Sequence, residues 1–350
     1  MSFNQIHSHC QWQPLKEVWI GGVYPSEFYH HLGNKVHEIF SDITEITQKD
    51  FNKLKKTLEN LGVTVVEPEF GTIDLYLDEH DNLLKPPISP CDIALTLGNT
   101  LYIMPQYPSG AQAYQAAIDR YLGNSQKIHI IDRSGSDPWA WIIFAGVVRA
   151  GRDIFIDFIP AINESKISAH KVAEILSDKY RVHLSGTGDH NDGIFCPLRP
   201  GHIMTSHYRQ TYQESFPGWE VFSLPNTTVN NFKYLGTHQK WYIPGVDYGH
   251  FNKEIMSVAQ QWLGNPQETV FEVNMLVVDE KNVVCGAGDE RAFQHIESLG
   301  MTPHIVEFKS RYFWDAGIHC VTSDICRGGV CEDYWPDRGP NGVYKIKEWN

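Results

Sequence analysis

What this sequence lacks narrows it first. No stretch approaches the roughly 20 consecutive apolar residues of a membrane-spanning helix, and Met1-Ser2-Phe3-Asn4-Gln5 has neither the basic nor the apolar part of a secretory leader. The expectation is a cytoplasmic protein. Basic residues are scarce and unclustered: 29 Lys and Arg stand against 42 Asp and Glu, a formal net charge of -13. That balance disfavours nucleic acid and anionic membranes, whose phosphates require clustered cations. Cationic small molecules are the more natural partners. There is no CxxC pair. The seven cysteines, Cys10, Cys91, Cys196, Cys285, Cys320, Cys326 and Cys331, are an odd number scattered along 350 residues, which argues against a disulfide framework. The spacing of Cys320, Cys326 and Cys331 around His319 does not suit zinc. Gly186-Thr187-Gly188 lacks the Gly-Lys-Ser/Thr that a phosphate loop requires.

What is there is a recurring unit. Asp92 to Met104 reads as two apolar strands folded at Gly98-Asn99, followed by a helix over Tyr114 to Leu122 and a strand over Ile128 to Ile131. Val147 to Ile156 folds around Gly151-Arg152-Asp153, then a helix near Ile167 to Leu176 and a strand Tyr180 to Leu184. Gly193 to Thr205 turns at Arg199-Pro200-Gly201 and is followed by a short helix and a strand Trp219 to Leu224. Val273 to Cys285 precedes a helix Arg291 to Leu299 and a strand His304 to Phe308. The strand at Cys320 opens a fifth unit, which the helix Phe51 to Leu61 and the strand Val63 to Val66 complete. Pro68 to Pro90 reads as a long loop. Five such units suggest a circular array in which each contributes one edge to a shared site. The expected organisation is a single domain over 1–350 with an aromatic-rich insertion at about 225–269, long enough to be functional.

The residues that bear chemistry fall at hairpin positions. Cys320, in Gly317-Ile318-His319-Cys320-Val321-Thr322-Ser323-Asp324, is a candidate nucleophile or a buried free thiol. Asp189-His190-Asn191-Asp192-Gly193 is a turn, or a strand that presents His190 and Asp192 on one face as acid/base and cation grip. Asp153 either caps its hairpin or holds a histidine in the right tautomer. Asp92 sits at the edge of an apolar strand, where backbone donors often satisfy such acids. The array would bring Asp92, Asp153, His190, Asp192 and Cys320 toward one axis.

These segments, with Arg327, Arg149-Ala150-Gly151-Arg152-Asp153-Ile154-Phe155 and Asn274-Met275-Leu276, resemble in order the amidinotransferase branch of the guanidine-modifying superfamily. That branch includes arginine:glycine, inosamine-phosphate and cyanobacterial toxin amidinotransferases. The resemblance implies an α/β fold, a five-bladed pseudo-symmetric propeller with a narrow central channel. It also implies transfer of the amidino group of L-arginine to an acceptor amine in secondary metabolism. Cys320 would be the nucleophile, His190 the general acid/base and Asp153 its orienting acid. Asp92 and Asp192 would bind the guanidinium and Arg209 the donor carboxylate. Glu272, where the creatine-pathway enzyme has a small hydroxyl residue, points to an acceptor other than glycine. No metal or organic cofactor is implied, and a homodimer is left open. Within the same fold a hydrolase using water as acceptor is the alternative. A non-catalytic binder of a guanidino metabolite is the alternative from another class.

Overall fold

The computed structural model describes residues 5–32, 34–105, 110–186, 190–206, 212–224, 243, 253, 257–258, 262, 272–286 and 288–346. Among the described residues sixteen strands form five small sheets. The first joins β1 (Leu15–Ile20) antiparallel to β15 (Thr322–Arg327) and parallel to β2 (Thr64–Val66). The second has β3 (Ala94–Leu97), β4 (Thr100–Ile103) and β5 (Lys127–Ile130). The third has β6 (Val147–Ala150), β7 (Asp153–Asp157) and β8 (Arg181–Ser185), extended by β16 (Gly342–Lys345). The fourth has β9 (Phe195–Arg199), β10 (His202–Thr205) and β11 (Glu220–Ser223). The fifth has β12 (Leu276–Val277), β13 (Asn282–Gly286) and β14 (Thr302–Val306). Each sheet is an antiparallel pair with a parallel third strand, so the hairpin, helix and strand read in the sequence recurs five times. Nothing local signals β16, whose pairing with β8 joins segments far apart along the chain.

The helix Asn34–Asn60 begins well before the expected Phe51. Its first half holds Ile39, Ile43, Thr44, Ile46 and Thr47, β-branched residues of weak helix propensity. Packing overrides that preference: Phe40, Ile43, Phe51, Leu54 and Leu58 are fully buried, in one cluster with Phe308, Phe313 and Trp314. Between Pro68 and Pro90 there is a 3-10 turn, Ile73–Tyr76, in otherwise irregular chain. Most of the 225–269 segment lies outside the described residues. Its Trp262 donates to the Leu83 carbonyl at 2.9 Å and stacks on Trp314. Among the described residues no helix is long and apolar enough to cross a membrane. All seven cysteines are free thiols.

Where sheets converge, one carboxylate ties them. Asp324 on β15 accepts from Arg149 of β6 at 2.5 Å, from Arg327 at 2.5 Å and from the Ser8 hydroxyl at 3.1 Å. Arg149 also donates to the Thr96 carbonyl of β3, and Arg327 to the carbonyls of Gln13 and of Val277 in β12. Burial alone pushes the Asp324 carboxyl up. Arg149 and Arg327 outweigh it and hold the group well below the usual carboxylate range. A carboxyl depressed in the folded state stabilises above its unfolded pKa of about 3.9 and ceases to do so as pH falls through the folded value. Asp324→Asn leaves two buried guanidiniums short of a counter-charge. It is expected to cost about 3–5 kcal/mol by urea denaturation at pH 7, with the gap to wild type shrinking below about pH 4. A gap independent of pH would show that packing, not charge, carries the effect.

Candidate active site

The site is built from turns that immediately precede the first strand of a hairpin. Asp92 ends the 3-10 turn Pro90–Asp92 before β3. His190 caps the one-turn helix Asn191–Ile194 before β9, and Asp192 lies within it. Asn274 enters β12, and Cys320 lies on the turn before β15. Of the two readings of this segment, turn or strand, the turn holds: it is a helical turn. Gly193 and Asn191 follow the cap, and the chain does not extend until Phe195.

Cys320 is buried, and its sulfur is 3.4 Å from Asp192 Oδ2. Asn274 grips it twice: its Oδ1 accepts from the Cys320 N–H at 3.0 Å, and its Nδ2 donates to Sγ at 3.0 Å. The same amide donates to the Asp192 carbonyl at 3.2 Å. Close approach of this side chain requires Gly317, where an added Cβ would lie 2.4 Å from Asn274 Oδ1. His319 Nδ1 is 2.9 Å from Asp192 Oδ2. Cys91 brings a second thiol, and the Cys91 sulfur, an Asp192 oxygen and the Cys320 sulfur lie within 4.8 Å of one another.

The electrostatics separate the two acids. Burial pushes the Asp92 carboxyl up and Asp192 adds to the effect, with His190 and Lys85 opposing it. For Asp192 burial is outweighed by the hydrogen bond and charge of His319, the charge of His190 and the Cys320 thiol, so its carboxyl is lowered. Asp192 Oδ1 is buried and has no hydrogen-bond partner among the described residues. Cys91 is held protonated by its hydrogen bond to Cys320, by burial and by the Asp92 charge.

Asp153 is elsewhere. One of its oxygens takes Arg181 at 2.7 Å, and the other takes His183 and Arg338, each at 2.7 Å. Its assignment as the acid that orients His190 is corrected. Asp153 follows the tight turn Gly151-Arg152, at the opposite end of the hairpin from the turns that carry the other site residues. The equivalent turn in this unit is Phe144–Gly146, and the acid beside it is Asp157, at the far end of β7. Asp157 is buried, accepts from the Ser185 hydroxyl at 2.8 Å, and has its Cβ 3.4 Å from where a Cβ on Gly146 would stand. Asn191, next to His190, donates to the Gly146 carbonyl at 2.7 Å. Glu272 lies half-buried beside Gly288, two residues before Asn274. Arg209 is outside the described residues. Sequence reasoning gave no role to Asn274, Cys91, His319 or Asp157. The signals for the first three were Gly317 and direct adjacency to Cys320 and Asp92.

No family model matches the chain. An L-arginine:L-lysine amidinotransferase of Pseudomonas savastanoi pv. phaseolicola is 22% identical over 380 residues, covering 94% of this chain and 96% of that protein. Among solved structures, the inosamine-phosphate amidinotransferase StrB1 from Streptomyces griseus aligns over 94% of this chain and 99% of its own, with a TM-score of 0.69 at 19% identity. SxtG, an amidinotransferase from Microseira wollei in the saxitoxin pathway, aligns over the same shares with a TM-score of 0.65 at 19% identity. The relatives of this chain in sequence and the two structures above are amidinotransferases, and dimethylarginine dimethylaminohydrolase from Pseudomonas aeruginosa shares the fold with a TM-score of 0.54 at 13% identity. The mixed α/β fold is the one those amidinotransferase structures share.

Asn274→Ala is expected to lower kcat on the order of 10²-fold, because a displaced nucleophile loses its attack geometry, with far-ultraviolet circular dichroism unchanged. A wild-type kcat would remove Asn274 from the site.

Proposed function

We propose that this protein transfers the amidino group of L-arginine to an acceptor amine through a covalent Cys320 intermediate. The observation that carries the reading is the Cys320 sulfur held by Asn274 against the carboxylate of Asp192. A guanidinium is protonated at neutral pH, so a buried site must supply carboxylates to offset its desolvation. Asp92 and Asp192 supply them, and the unpartnered Asp192 Oδ1 is placed to accept from a planar N–H fork.

With the cation bound, the thiolate of Cys320 is favoured and attacks the central carbon. His190 protonates the departing amine, the carbon–nitrogen bond breaks, and ornithine leaves an amidino group on sulfur. His190 then takes a proton from the acceptor amine. That amine attacks the same carbon and expels Cys320 as thiolate, in two half-reactions of ping-pong type. Asp157, rather than Asp153, is the acid we assign to support His190. We assign Glu272 to acceptor recognition, and Arg209 to the donor carboxylate. The five sheets are read as the blades of a single-domain propeller around a common channel, a reading supported by Asp324 joining four of them.

Incubation with arginine alone is expected to add one amidino group to the protein by intact mass and to release one equivalent of ornithine. Cys320→Ala is expected to abolish both. Continuous citrulline formation without an amine would establish the hydrolase instead.

Asp157→Asn is expected to lower kcat on the order of 10²-fold with the urea midpoint preserved. Asp153→Asn, by stranding buried cations, is expected to cost about 3–5 kcal/mol of stability. The reverse pattern would restore Asp153 to the site. Because the Asp92 carboxyl is raised, it gains its proton at a higher pH than an ordinary carboxylate. The donor KM is therefore expected to climb on acidification above the usual carboxylate range, and Asp92→Asn should remove that limb from a pH profile. A limb that survives the substitution belongs to another group.

A further inference from the structure

We propose that the acceptor is a primary amine with an extended apolar body, bound in the cavity that opens at Asp92 and His190. The inference rests on the amidino-transfer reading and adds the substrate class. The cavity holds about 290 Å³, near the lower end of small-molecule pockets. Asp92 and His190 bring the cation grip and the acid/base to it. Most of the remaining described wall is hydrocarbon, including Met104, Ile143, Phe144, Ile159 and Ile162. Ser165 also lines it, but its hydroxyl oxygen already accepts from the Ile159 N–H at 3.1 Å. Trp141 is 42% exposed and adds its ring to the wall, and the Arg133 guanidinium sits 5.7 Å from its ring centroid.

Such a wall sorts acceptors. The reacting amine must reach the imidazole that takes its proton, so the rest of the molecule is directed along the hydrocarbon. A short zwitterion buries almost no hydrocarbon along that surface, and of the described lining only Arg133 and the Ser165 hydroxyl could meet its carboxylate. An alkyl or aryl chain is favoured by each methylene it buries. The same wall suits the three methylenes of arginine, so donor and acceptor use the cavity in turn, as a ping-pong sequence demands.

The test is a series of straight-chain primary amines from ethylamine to octylamine, with glycine and lysine for comparison. Each is given to the full-length enzyme with saturating arginine, and guanidino products are quantified by mass spectrometry. The expected kcat/KM rises about fourfold per methylene, equivalent to ~0.8 kcal/mol, until the cavity is filled. Hexylamine should exceed glycine on the order of 10²-fold. Ile162→Asp should flatten the series. The ornithine burst with arginine alone is recorded in parallel. No burst overturns the transfer reading itself. A normal burst with a flat wild-type series, or with glycine or lysine preferred, overturns this inference alone, whatever the variant does.

Discussion

The architecture depends on the burial of one carboxylate between two guanidiniums. Asp324, Arg149 and Arg327 are all nearly inaccessible to solvent, and a lone buried charge of either sign is untenable. Each therefore fixes the others, and each also reaches into a different sheet. Arg149 spans from β6 to the carbonyl of Thr96, and Arg327 from β15 to those of Gln13 and Val277. Hydrophobic packing alone would hold these sheets together loosely, since apolar contacts are non-directional. The ion cluster sets their mutual register, and four residues before Asp324 on the same chain stands Cys320.

Register matters because the site is assembled from turns rather than from strands. A turn that precedes a hairpin can carry a side chain to a point where several sheets approach, whereas residues within the strands are committed to the ladder and to the core. Asn274 shows how tightly these turns interlock: one amide group binds the backbone and sulfur of Cys320 and the backbone of Asp192. A larger residue at 317 would separate them.

Much of this was legible beforehand. Hairpin turns at Gly98-Asn99 and Arg199-Pro200-Gly201, followed each time by a helix and a strand, announce the repeat through local chemistry alone. Cys320, Asp92 and Asp192 could be singled out because acids and a thiol at the margins of apolar strands require an explanation. Asp153 misled for a physical reason. Asp153 and Asp157 bracket the same five-residue strand, and nothing in a period of two says which end faces the site. That is decided by the hairpin direction and by Arg181, Arg338 and His183, which lie 28 to 185 residues away along the chain. The turn formers Asp189 to Gly193 left both a turn and a strand open, and the turn is what forms, with His190 at the cap and Asp192 in the one-turn helix. β16 was invisible because its partner, β8, lies more than a hundred residues earlier.

On the proposed function, the two acids also account for a site that is selective while remaining folded without a cation. If both carboxyls were strongly acidic, two negative charges would face each other in a dry pocket. Instead the Asp192 carboxyl is lowered, chiefly by His319, while that of Asp92 is raised by burial and by Asp192, with His190 and Lys85 opposing. On that proposal an arriving guanidinium would lower the raised Asp92 carboxyl, so that binding and the ionisation of Asp92 are linked. A neutral urea or amide of the same shape offers no such charge and leaves Asp92 as it was. On the proposed function, discrimination between a guanidinium and its neutral isosteres would reside in the unequal environments of two carboxylates, a property of the folded arrangement rather than of either residue.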